Sequence, residues 1–181
     1  MPLKPWIVES EETVFSTRIF TIDAITARSA ERPEISGTFV ALDTADWVNV
    51  IARTPAGELV MVEQYRHGSR EITLEIPGGM VDEGEDFAAA GARELLEESG
   101  YAGDPAVLLG EVSPNPAIQK NRLGTVLIDN VRPIAGQSPD HHEELAIRIV
   151  AREDIPALIQ RGAINHALVI VAFHHLTLRG E

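Results

Sequence analysis

The chain has 181 residues, with 28 Asp and Glu against 15 Lys and Arg, a formal net charge of −13 and no cysteine. That length supports one well-buried core, and the missing cysteine excludes disulfides and thiolate metal ligands. The acidic balance argues against a nucleic-acid partner, which needs a basic face, but not against a phosphorylated small molecule whose charge a divalent ion offsets.

Residues 1–12 lack the basic segment and apolar run of a signal peptide, and no stretch of about 18 apolar residues would span a membrane. A cytoplasmic chain without a membrane partner is expected. No repeat, linker or low-complexity segment interrupts the sequence, so a single domain over 1–181 is expected, with 1–45 as a β-rich N-terminal extension. Residues 13–25, 37–42, 47–52 and 58–63 are rich in β-branched and aromatic side chains and predict strands, with Pro55-Ala56-Gly57 as a turn. A further strand over 72–76 stops at Pro77-Gly78-Gly79. A helix over 87–99 follows, capped by Asp86 and closed by Gly100. Strands over 123–128 and 145–150 precede helices over 153–161 and 165–178. Strands around one central helix, with late helices outside, predict a mixed sheet between helices.

The helix over 87–99 carries the chemistry. At about 100° per residue, with Glu94 as zero, Glu98 falls near 40° and Glu97 near −60°, so three carboxylates share one arc. Leu95, Ala88, Ala92, Leu96 and Ala89 fall between about 100° and 220° and are expected to form the buried side. Gly91, near 60°, borders the carboxylates and costs about 1 kcal/mol relative to alanine. Only Arg93 lies where it can relieve the repulsion. By spacing alone, two readings stand level: hard oxygen ligands for Mg2+, or a helix that tolerates a few tenths of a kcal/mol per like-charge pair.

The wider pattern separates them. Gly79, Glu85 and Arg93-Glu94-Leu95-Leu96-Glu97-Glu98-Ser99-Gly100-Tyr101 resemble the Nudix box, G-x5-E-x7-REUxEExGU with U aliphatic. Seven fixed residues match, a coincidence on the order of one in 10⁸ at a given start point. Tyr101 departs from the aliphatic position and leaves every carboxylate intact. Glu63-Gln64-Tyr65-Arg66-His67, Glu75-Ile76-Pro77-Gly78-Gly79 and Pro116, fifteen residues beyond Tyr101, are similar to the ADP-ribose pyrophosphatase and nucleoside-diphosphate-sugar branch of that family.

The resemblance implies an α/β (α+β) fold, an α/β/α sandwich with a mixed sheet and an N-terminal β extension. It also implies cleavage of the pyrophosphate bond of ADP-ribose or a related nucleoside diphosphate sugar, with Mg2+ or Mn2+ as cofactor. Glu94, Glu98 and the Gly78 carbonyl would be metal ligands, and Glu97 would share a second ion or orient the others. Glu98 and Glu97 thereby join the catalytic set. Arg93 would form a salt bridge with Glu85 or Glu97. In the polar segment 138–144, Glu143 would be the base, with Glu144 in reserve. Arg66 would grip phosphate, with Arg70, Lys120 and Arg122 as weaker candidates. Trp47 is expected to pack, and Trp6 to stack on adenine or against a partner subunit. His166, His174 and His175 receive no role. The family often forms homodimers through N-terminal strands. Two other readings are a Nudix pyrophosphatase for triphosphates, dinucleoside polyphosphates or coenzyme A, and a non-catalytic sensor.

Overall fold

Strands fill the first half of the chain because β-branched and aromatic side chains favour a pleated, half-buried surface. A computed structural model of the protein describes residues 2–138 and 144–180. By internal contacts the chain divides into two units, Met1–Ala45 with Ser113–Arg122, and Asp46–Val112 with Leu123–Glu181.

The first unit is an antiparallel sheet in the order β1 (Ile7–Ser16), β2 (Thr21–Arg28), β3 (Ser36–Asp43). The single strand expected over 13–25 is two strands. Thr17 makes the break: its hydroxyl accepts from the amides of Ile19 and Phe20 and donates to the Phe20 carbonyl. Such side-chain turns compete with a ladder. Asp23, buried on β2, accepts from Thr13 and Lys120, and the lysine ammonium holds its carboxyl below the usual carboxylate range.

The second unit holds a mixed seven-stranded sheet. Its main path runs β12 (Leu145–Val150), β5 (Leu59–Arg66), β4 (Trp47–Arg53), β10 (Leu123–Ile128), β9 (Val107–Val112). β10 runs parallel to β4, and the other pairs are antiparallel. β4 and β5 pair only at Ala52–Val60 and Arg53–Leu59. Beyond that point they part, and β6 (Glu71–Glu75) pairs with β5 while β7 (Gly78–Met80) pairs with β4. The Pro77 carbonyl accepts from the Val50 amide at 2.8 Å, seating the β6–β7 corner in that split. A two-residue ladder joins β8 (Tyr101–Ala102) to β11 (Arg132–Pro133).

Helix α1 (Phe87–Ser99) covers one face, packing Ala90 and Leu95 against Val48, Val50, Val60 and Val126. Helices α2 (Ile155–Gln160) and α3 (Ala167–Leu178) cover the other, where Leu158, Val169 and Phe173 meet Ile51, Leu59 and Met61. The helix expected over 153–161 is a 3-10 turn at Arg152–Asp154 running into α2. The α/β/α sandwich with a mixed sheet is thus the architecture of this unit. Among the described residues no helix is long and apolar enough to cross a membrane.

Candidate active site

Helix α1 starts where Asp86 accepts from the Ala89 amide at 2.8 Å and ends where Gly100, at φ 73°, donates to the Leu96 carbonyl. The side it turns to the sheet differs from the one expected. Ala90, Gly91, Leu95, Glu98 and Ser99 are buried, while Ala89, Ala92 and Leu96 are exposed. The cause is Gly91. A Cβ there would fall 2.5 Å from Val126 Cγ2 and 3.3 Å from Val50 Cγ2, so the bare helix backbone rests on β10 and β4. The contact turns Glu98 inward: its side chain lies on the buried arc rather than opposite it.

Glu98 is 4% exposed, and its Oε2 accepts from the Gly78 amide at 3.1 Å. This contact brings the helix to the β6–β7 corner. Glu94 lies against the same corner, where a Cβ on Gly79 would fall 2.3 Å from Glu94 Oε1. Glycine at 79 is what lets a carboxylate lie on the backbone there.

Arg93 organises the remaining acids. It donates from Nε and Nη2 to Glu85, at 3.1 and 2.9 Å, and from Nη2 to the Met80 carbonyl at 2.9 Å. Its Nη1 bridges Glu94 Oε1 at 2.9 Å and Glu97 Oε2 at 3.1 Å. Both expected partners, Glu85 and Glu97, are therefore engaged at once. The guanidinium holds the Glu85 carboxyl below its usual range, and Glu85 foremost raises the arginine in turn.

A divalent cation can be tested against this donor set. Glu94, Glu97, Glu98 and the Gly78 carbonyl are hard oxygen donors, the kind Mg2+ takes, and the missing Cβ of Gly79 leaves Glu94 the room to serve. Among the described residues no three acidic or histidine side chains already converge as ligands; Glu94 and Glu97 are instead turned to Arg93. The residues fit the ion in kind.

The segment after β11 closes the helix end. Ser138 donates to the Glu97 carbonyl at 2.8 Å and Gln137 to the Glu98 carbonyl at 2.6 Å. Glu143, the expected base, lies outside the described residues, while its reserve Glu144 is exposed just before β12.

Arg66 ends β5 opposite Glu71, and its side chain is paired two-pronged with buried Glu75 at the other end of β6: Nε to Oε1 at 2.8 Å and Nη2 to Oε2 at 2.7 Å. Thr73 donates to Glu75 Oε1 at 2.5 Å, and His166 Nδ1 stands 3.1 Å from Oε2. Burial pushes the Glu75 carboxyl up, but Arg66, His166 and Thr73 together outweigh it and hold it well below the usual carboxylate range. Sequence reasoning gave His166 no role and read Glu75 only as part of a motif. No local signal links them, because they meet across 91 positions of chain.

Trp6 and Pro116 belong to the first unit. Trp6 is 45% exposed and packs edge-on against Phe39, with ring centroids 5.3 Å apart. Pro116 is exposed in the turn where the Asn115 carbonyl accepts from the Ile118 and Gln119 amides. Lys120 is bound to Glu11 and Asp23 of that unit. Trp47 is part-buried at the start of β4.

The NUDIX domain profile matches residues 43–173 of the chain, a span that contains the helix, the corner and Arg66. The chain belongs to the Nudix family. A Caenorhabditis elegans protein, whose name places it among the nudix hydrolases, is 31% identical over 120 residues, 64% of this chain and 52% of that protein. The match thus spans about half of that relative's length. An ADP-ribose pyrophosphatase of Bacillus subtilis is 26% identical over 133 residues, covering 73% of this chain and 72% of that one. The crystal structure of an ADP compounds hydrolase superposes with a TM-score of 0.87 at 21% identity, covering 99% of this chain and 97% of the other. That likeness establishes the fold of this Nudix protein.

Proposed function

We propose that this Nudix protein hydrolyses the pyrophosphate bond of ADP-ribose or a related nucleoside diphosphate sugar, yielding a nucleoside monophosphate and a sugar phosphate. The observation that carries the reading is the seating of Glu98 and Glu94 against Gly78 and Gly79, in the split between β4 and β5. The name of the B. subtilis relative supports the substrate class.

Glu94, Glu97, Glu98 and the Gly78 carbonyl would hold Mg2+, or Mn2+ in its place. When bound, the ion neutralises phosphate charge and lowers the pKa of attacking water. The chain supplies the rest. Arg93 fixes Glu85, Glu94 and Glu97 relative to the helix. Arg66 grips a phosphate oxygen with its planar fork. Glu143 accepts the proton of the attacking water. Trp6 and Pro116, both in the first unit, remain the further substrate-binding candidates of the sequence. The protein acts as a homodimer through its N-terminal strands, a reading supported by the exposed Val8, Phe15 and Val40.

Product chromatography after incubation with Mg2+ and ADP-ribose, GDP-mannose, UDP-glucose, coenzyme A or nucleoside triphosphates tests the reading. AMP and ribose 5-phosphate from ADP-ribose support it. Turnover of only coenzyme A or triphosphates moves the protein to another Nudix substrate class, and silence across the panel makes it a sensor. Glu143→Gln should lower kcat with a smaller effect on binding; an unchanged kcat removes Glu143 as the base.

A further inference from the structure

One buried carboxylate, Glu75, fixes the direction of the guanidinium beside it. Its side chain is 3% exposed, whereas that of Arg66 is 45% exposed, so the pair runs from the interior outward. Burying a carboxylate is costly unless its oxygens are satisfied. Here each oxygen has two neighbours: Arg66 Nε and Thr73 Oγ1 at Oε1, Arg66 Nη2 and His166 Nδ1 at Oε2. A carboxylate held at both oxygens cannot turn, and a planar fork docked on it by Nε and Nη2 has its Nη1 edge set as well.

We propose that Glu75 and His166 are positioning residues for Arg66, orienting its guanidinium toward a phosphate oxygen of the substrate. The inference rests on the reading of Arg66 as the phosphate grip. Location supports it. Glu75 closes β6 three residues before Gly78, the residue that touches Glu98. His166 stands directly before α3, whose Leu168 carbonyl is held by Asn49 of β4 at 3.0 Å. The anchor of Arg66 is thus built from the same strands that seat the acidic helix. A long side chain already ordered loses less freedom when ligand arrives, so removing its anchor weakens ground-state binding more than turnover.

The test is a double-mutant cycle on the full-length protein, reading kcat and KM for ADP-ribose and, by calorimetry, the Kd of ADP as a diphosphate probe. Glu75→Gln should raise KM and the ADP Kd about tenfold, with kcat within about threefold. In an Arg66→Ala background the same change should move Kd less than about twofold, because nothing is left to orient. Equal losses in both backgrounds, or wild-type Kd with only a lower Tm, would overturn the proposal. If Arg66→Ala itself leaves ADP binding unchanged, the phosphate-grip reading falls and the positioning role with it; if Arg66→Ala weakens binding and Glu75→Gln does not, only the positioning role falls. Should Glu75→Gln not fold, His166→Asn and Thr73→Val carry the comparison, each expected to raise Kd about threefold and to have no effect without Arg66.

Discussion

The Gly78 amide donates a 3.1 Å hydrogen bond to Glu98 Oε2, tying the last turn of α1 to the corner between β6 and β7. The bond requires a helix turned with an acid inward and a strand corner without side chains. Both conditions are met by glycines, at 91 and at 78: a Cβ on Gly78 would fall 2.2 Å from the Val48 carbonyl oxygen.

Glu98→Gln keeps the shape and an acceptor for Gly78, so the protein should fold with a near wild-type circular dichroism spectrum. As a proposed direct ligand, Glu98 should cost more on removal than the roughly 10–100-fold typical of outer-shell partners. A metal-controlled hydrolysis assay at wild-type rate would refute the ligand assignment.

Gly79→Ala places a Cβ 2.3 Å from Glu94 Oε1, the far end of a flexible side chain. The carboxylate swings away at a cost of about 1 kcal/mol or less. Activity should fall much more than stability, read by comparing kcat with Tm.

Gly91→Ala reverses that pattern. In an open helix the change would stabilise by about 1 kcal/mol. Here the new Cβ meets Val126 Cγ2 at 2.5 Å between packed strands, and overpacking of this kind costs about 1–3 kcal/mol. Urea unfolding should show a loss of stability; a gain would mean that the helix does not rest on β10 as described.

Arg93→Ala leaves Glu85, Glu94 and Glu97 without their shared cation and the Met80 carbonyl without its donor. The side chains are partly exposed, so the loss should be about 1–3 kcal/mol rather than that of a fully buried pair. Arg93→Lys should recover only part of it, because an ammonium cannot span four acceptors in one plane. Thermal denaturation of both variants checks the order.

The fold should lose stability in acid through Glu75. Its carboxyl titrates at an ordinary 4.5 in the unfolded chain and well below that in the fold. Between those values the unfolded state binds more protons, so the contribution is full above about pH 4.5 and shrinks as pH falls toward the folded value. Urea midpoints at pH 7 and pH 3.5 should differ more for wild type than for Glu75→Gln. Equal differences would show that Glu75 is not a source of the acid sensitivity.

Much of the site is written locally. Asp86, Gly100 and the spacing of Glu94, Glu97 and Glu98 are consequences of helical geometry, and they appear in the sequence as they do in the fold. The strands over 47–52, 58–63 and 123–128 are equally legible, because runs of Val, Ile and Leu buried on both faces leave little else for those residues to do. The motif itself needs no tertiary information.

Orientation was decided elsewhere. Helical periodicity fixes the angles between side chains and is silent on which angle faces the sheet. A run of Ala and Leu pointed to the face opposite the acids, whereas close packing of Gly91 on Val126 and Val50 buries the one that contains Glu98. Likewise, nothing near Glu75 in sequence announces His166, since their meeting depends on how α3 begins beside β6. The sequence by itself determined the acids and their spacing; the tertiary structure decided what they face, because contact between distant segments is set by packing of the whole unit rather than by any local period.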